Sequence, residues 1–207
     1  PFVKRIRDRE SFLRRECRAL PFPFSTMREG QAEFIKEGYR TIRRGERLFV
    51  SAPTGIGKTI SSLYPAIRAF GSGDCDRIFY ATAKTITGKA AVDTCERFRE
   101  FAPHLHGILI LAKESLCSAQ TIDGETALLL KCPICPDLHD IGSGAHFQPY
   151  LRREHDAMRA LLESGTPFFT PEYLRKVAAQ YFVCPYELSL DISAYCEVIV
   201  CDYNFLF

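Results

Sequence analysis

No stretch of this sequence stays apolar long enough to cross a bilayer; the longest runs, such as Leu105 to Ala112, fall well short of the ~20 residues a spanning helix needs. The N-terminus is charged and lacks the apolar centre of a secretory signal. Neither membrane insertion nor export is expected, and the expected location is cytoplasmic. Gly/Ser-rich and single-residue tracts are also missing, which excludes a low-complexity arm. Charge of one sign is not in excess: 27 Lys and Arg face 25 Asp and Glu, for a net charge of +2. Binding to a polyanion would therefore need a local basic patch. What remains is ordinary globular composition, 46% hydrophobic and 25% charged over 207 residues. That is enough for one α/β core, or for a core carrying a smaller inserted module. Cysteine is the residue in surplus, with nine. Without a secretory signal the expected compartment is reducing, where clustered cysteines serve metals or redox chemistry more often than disulfides.

Along the chain, Val3 to Arg18 mixes Lys and Arg with fewer acids and carries Ile6, Phe12 and Leu13 as apolar positions. It predicts a short basic helix or arm with a solvated charged face. Residues 1–25 form this basic segment and a linker that includes the turn-rich LPFPFST. Arg28 to Ile42 places Phe34, Ile35, Tyr39 and Ile42 at helical spacing. Alternation follows: Leu48 to Ala52 reads as a buried strand, Gly57 to Phe70 as a helix, Arg77 to Thr82 as a strand, Lys89 to Phe101 as a helix and Gly107 to Ala112 as a strand. Strands alternating with helices imply a parallel sheet with crossover helices, so 26–113 is the first part of an α/β lobe. After Lys113 the rhythm stops at KCPICPDLHDIGSG, followed by helical patterns at Tyr150 to Glu163 and Pro171 to Phe182. The second begins with Thr170 and Pro171, a cap followed by proline at the first helical position. Residues 114–190 read as an insertion, and 191–207 as the return to the core through a strand at Glu197 to Cys201. No internal repeat is present.

Between the expected strand at Leu48 and the expected helix at Gly57 lies SAPTGIGKT, Ser51 to Thr59. A loop ending in G-K-[ST] between strand and helix cradles phosphates: Gly55 and Gly57 allow the tight turn, amides at the helix start face the anion, Lys58 neutralises the β and γ phosphates, and Thr59 offers a hydroxyl to Mg2+. Pro53, Thr54, Gly55, Ile56, Gly57, Lys58 and Thr59 are the candidate ATP contacts, with Lys58 and Thr59 the catalytic pair. Ala52 stands where the general pattern has its first glycine. Cys132 and Cys135 form a C-x2-C pair beside Pro133 and Pro136, with Cys117 upstream and Cys184 downstream. Four thiolates suit zinc or an iron–sulfur cluster, and spacing does not separate the two. His139 could replace one cysteine at a zinc site. Cys17, Cys75, Cys95, Cys196 and Cys201 read as small apolar residues, and His104, His106, His146 and His155 as surface or satisfied histidines.

The segment FSTMREGQAEFI ahead of the loop, and the form SAPTGIGKT itself, resemble superfamily 2 helicases. The order of these four cysteines resembles the XPD and DinG class of iron–sulfur DNA helicases, which place a four-cysteine insertion between the motif after the phosphate loop and the acidic motif that binds magnesium. FPF, APTGIGKTIS, FYATAKTITGKAA, AKESLC, CPYELSL and VIVCDYNFLF resemble a bacterial Rad3-like subgroup along most of the chain. The resemblance implies an α/β, parallel-sheet P-loop (RecA-like) motor lobe with a mainly helical insertion, in which Cys117, Cys132, Cys135 and Cys184 hold a [4Fe-4S] cluster. It implies that Arg28 and Gln31 contact the adenine of ATP, and that Thr82, Lys84 and Thr85 hold the phosphates of single-stranded DNA. Asp202 becomes structural or DNA-proximal. The acidic motif, the remaining motor lobe and its arginine finger are expected beyond Phe207, and a nuclease-like domain upstream. The implied activity is ATP-dependent translocation on single-stranded or forked DNA with unwinding, in repair or recombination, and this stretch alone would hydrolyse little. The rival expectations are a P-loop ATPase with a zinc-binding four-cysteine module and no unwinding, and a zinc-folded interaction module.

Overall fold

A computed structural model of the chain describes residues 2–83, 85–116 and 147–206. The chain runs through α1 (Phe2–Ala19), α2 (Gln31–Arg44), α3 (Lys58–Ser72), β1 (Ile78–Thr82), α4 (Thr85–Glu96), β2 (Gly107–Leu109) and α5 (Lys113–Leu116). It continues through α6 (Phe147–Glu163), β3 (Phe168–Phe169), α7 (Pro171–Tyr181), α8 (Pro185–Ser193), β4 (Val198–Asp202) and a short 3-10 helix, Tyr203–Phe205. The strands form one four-stranded sheet in the order β1-β4-β2-β3. Every pairing is parallel, as the strand and helix alternation predicts.

The central strand explains the arrangement. In β4, Val198 and Val200 point into one apolar core and Ile199 and Cys201 into the other. A strand covered on both faces has no polar side to show, hence the unbroken VIVC. The first core takes α1, α3 and α4, through Leu13, Leu63, Ile67, Phe70 and Val92, with Phe98 from the turns after α4. The second takes α6, α7 and α8, through Tyr150, Leu161, Leu174, Leu188 and Ile192. The helices between 147 and 193, expected as part of an insertion, thus form the second layer on the same sheet, and β3 is one of its strands.

Two expectations need correction. The basic N-terminal segment forms a helix with an exposed face that includes Glu10 and Arg15, as expected, but it is no free arm, because its other face is packed into the core. Leu13, Cys17 and Leu20 are buried against α3, and each leucine contributes roughly 2 kcal/mol on burial. Gly71 permits the contact: a Cβ there would collide with the backbone of Cys17 and Arg18. The basic residues are used on the end of α3, whose last carbonyls lack helical partners. Arg14 donates to Phe70 O at 2.9 Å and Arg18 to Gly71 O at 3.3 Å.

The second correction concerns Leu48 to Ala52, expected as a buried strand. The segment belongs to no strand, and Leu48, Phe49 and Val50 are 40%, 93% and 44% exposed. An apolar run becomes a strand only where a neighbouring edge accepts its backbone hydrogen bonds and a face covers its side chains. Neither is supplied among the described residues. Among the described residues β1 pairs only with β4 and ends the sheet, and its Phe79 is 50% exposed. Smaller shifts affect α4, which starts at Thr85 rather than Lys89 and gives way to turns after Glu96, and β2, which ends at Leu109. Among the described residues no helix is long and apolar enough to cross a membrane.

Candidate functional site

The loop from Ser51 to Gly57 leads into the N-terminus of α3, whose N-cap is Gly57. Gly55 and Gly57 have φ of 88° and 85°, a region that costs side-chain-bearing residues strain. Gly57 is constrained twice, since a Cβ there would lie 2.8 Å from Gln31 Nε2. Lys58 is exposed and folds back over the loop, donating from Nζ to Ala52 O and Pro53 O, each at 2.8 Å. It makes no ion pair among the described residues. An ammonium held by two carbonyls at an open helix N-terminus is placed to exchange them for phosphate oxygens. Thr59 is half-buried, and its Oγ1 accepts from Tyr80 on β1 at 3.5 Å. Pro53, Thr54 and Gly55 are exposed on the loop, and Ile56 is half-buried.

Arg28 and Gln31 meet this loop from behind. Gln31 is 3% exposed, and both ends of its amide are engaged: Oε1 accepts from Arg28 N at 3.1 Å and Nε2 donates to Ile56 O at 3.1 Å. The Arg28 guanidinium donates to Gly55 O. These residues brace the loop's backbone, a role that sequence spacing alone does not reveal. The only signal available was Gly30, with φ of 73°, which turns the chain into α2.

At the carboxyl ends of the strands, Thr82 pairs in register with Asp202. Thr82 is buried, while Lys84 falls outside the described residues and Thr85 opens α4. Asp202 caps the 3-10 helix, its Oδ1 accepting from Asn204 N at 2.9 Å and Asn204 Nδ2 at 2.8 Å. A cleft of about 320 Å³ opens here between Thr82, Ser115, Asp202 and Phe205. No family model matches the chain, and no curated protein matches it.

Of the four candidate cluster ligands, Cys117, Cys132 and Cys135 lie outside the described residues, as does His139. Cys184 is 2% exposed and caps α8, with Pro185 at the first helical position. Its backbone N–H donates to the Tyr150 hydroxyl at 3.2 Å, and that hydroxyl donates to Glu154 at 3.2 Å. Burial raises the Glu154 carboxyl to about 7. Helix α5, whose last residue precedes Cys117, packs on α8. Cys17 and Cys95 are core thiols that burial pushes up to about 12.

Sequence reasoning also passed over a charged cluster at the amino ends of the strands. Arg9 on α1 donates from Nη1 and Nη2 to the two Glu197 oxygens at 3.1 Å each, and from Nη2 to His104 O at 2.8 Å. His106 Nδ1 lies 2.9 Å from the same Nη2, and the His106 backbone N–H donates to Glu197 Oε2 at 2.8 Å. Burial, then the nearby guanidinium, pulls His106 down to about 4, so the neutral ring accepts from Arg9. Burial raises Glu197 despite its arginine.

Proposed function

We propose that this chain supplies the phosphate-binding face of the first motor lobe of an ATP-dependent DNA helicase similar to the XPD and DinG class. The observation that carries this reading is Lys58, exposed and pinned by Ala52 O and Pro53 O over a glycine turn at the start of α3. On arrival of a triphosphate, the ammonium exchanges those carbonyls for phosphate oxygens, and the first-turn amides of α3 face the same charge. Thr59 would offer its hydroxyl to Mg2+, and the same hydroxyl oxygen accepts from Tyr80 on β1 at 3.5 Å. Ile78, Tyr80 and Thr82 share one side of that strand, so the phosphate loop and the cleft at Thr82 are joined by one short, stiff element. Arg28 and Gln31 keep the loop open, and adenine recognition would require Gln31 to give up one of its present bonds.

Cys184 stands at the start of α8, where negative charge is favoured, with its backbone fixed by Tyr150, and that position suits a thiolate ligand. With Cys117, Cys132 and Cys135 it would hold a [4Fe-4S] cluster, with zinc the alternative metal. When bound, such a cluster supplies a covalent cross-link between α8 and the segment after α5. Single-stranded or forked DNA, the remaining motor lobe and a cytoplasmic location belong to the same proposal.

The test is strand separation by the intact protein on a forked duplex with MgATP. ATP-dependent unwinding that disappears in Lys58→Ala supports the helicase reading. ATP turnover that single-stranded DNA fails to stimulate, with colourless zinc bound, would instead establish a P-loop ATPase without unwinding.

A further inference from the structure

Building on the phosphate-cradle reading, we propose that Tyr80 is a positioning residue for the Thr59 hydroxyl, and that it strengthens the dependence of nucleotide binding on a divalent cation. Three hydroxyls stand in the opening turns of α3. Two of them turn back on the helix: Ser61 Oγ donates to Gly57 O at 2.9 Å, and Ser62 Oγ to Lys58 O and Thr59 O at 3.0 Å each. Serine and threonine in helices commonly do this. Thr59 does not. The carbonyl four residues before it, Gly55 O, already accepts from the Arg28 guanidinium, and Thr59 Oγ1 accepts instead from Tyr80 Oη on β1, at 3.5 Å.

Tyr80 is well anchored for this task. Its ring is half-buried and packs against the first core, and its backbone is held by β4, where it stands in register with Val200. A phenylalanine would fill the same space. A half-buried tyrosine hydroxyl needs a partner, and among the described residues this one donates to Thr59 alone. A threonine oxygen carries two lone pairs and one proton. With Tyr80 on one lone pair, the second is left for a cation and the proton for a phosphate oxygen. Without that bond the hydroxyl would divide its time between the two χ1 rotamers that helical threonine populates. Fixing it before the ligand arrives removes the ordering cost from binding. The benefit is confined to the cation, because Lys58 and the first amides of α3 meet the phosphates with or without the Thr59 hydroxyl.

The experiment is a calorimetric titration of the full chain with ATP, once in excess Mg2+ and once in a chelator. Mg2+ should tighten binding to the parent. Tyr80→Phe should weaken MgATP binding about 5-fold, the size of one neutral hydrogen bond, and leave metal-free ATP binding unchanged. Thr59→Ala should remove most of the advantage that Mg2+ gives, and adding Tyr80→Phe to it should change nothing further, because the partner is already gone. A Tyr80→Phe chain that binds MgATP as the parent does overturns the inference and leaves the phosphate cradle intact. An equal loss in the chelator, or a loss that persists in the Thr59→Ala background, also overturns it, by showing that Tyr80 touches the nucleotide or shapes the loop directly. A folded parent that binds ATP in neither condition removes the inference together with the reading beneath it.

Discussion

The two ends of the parallel strands are built from opposite chemistry. At the amino ends, Arg9, Glu197 and His106 close on one another with four contacts of 2.8–3.1 Å, and an N-terminal helix is bolted over them. At the carboxyl ends, Thr82 and Asp202 border an open cleft, and at the start of α3 Lys58 rests on carbonyls that a ligand could replace. One end spends its polar groups on each other, and at the other they border a cleft or rest on backbone groups. The contrast separates stability from binding, so a substitution at one end should leave the other's property almost untouched.

The largest effect should come from breaking the closed end. Arg9→Met strands a Glu197 carboxyl that keeps only 12% of its side chain exposed, which should cost about 3 kcal/mol in urea unfolding. Nucleotide affinity of the folded fraction should stay the same; a parallel loss of affinity would show that the ends are coupled. Replacing both partners, Arg9→Met with Glu197→Gln, should recover most of the loss.

Next in size is a pH effect. His106 is held at about 4 against an ordinary 6.5, so between those values the unfolded chain binds the proton that the folded ring refuses. The His106 contribution to stability should therefore rise with pH from about 4 to about 6.5 and level off above, while the raised Glu154 carboxyl contributes with the opposite sign up to about 7, so the histidine's share is read from the variant. His106→Gln should make that limb shallower by roughly 2 kcal/mol. An unchanged slope across the window would mean that the ring titrates normally in the fold.

The smallest expected effect is informative because the sequence alone argues for a large one. Phe49→Ser should shift stability by no more than about 0.5 kcal/mol, as for other exposed positions. A loss of about 3 kcal/mol, the cost of emptying a core site, would mean that Leu48 to Ala52 is a buried strand after all.

What the sequence made legible follows from patterns that carry their own context. The apolar run at 198–201 reads as a strand because both its faces are covered. The cap at Thr170 is equally local, and Thr170 Oγ1 does accept from Tyr173 N, at 3.3 Å. The run at Leu48 looks similar, but a strand also needs a neighbour, and composition is silent about neighbours. The charged cluster was hidden for the same reason. Arg9, His106 and Glu197 are scattered along the chain, and only the topology brings them together. At the candidate site, Gly55, Gly57 and Lys58 were readable because one short loop holds them all. The bracing by Gln31 was not, since it depends on how α2 lies against that loop.

The most direct test of the central claim is a calorimetric titration of MgATP into the parent chain and Lys58→Ala. The parent should bind saturably and the variant at least about 100-fold more weakly, with both proteins unfolding at similar urea concentrations. Equal affinity in the two, or no binding to a parent shown to be folded, would contradict the assignment of Ser51 to Thr59 as a phosphate cradle.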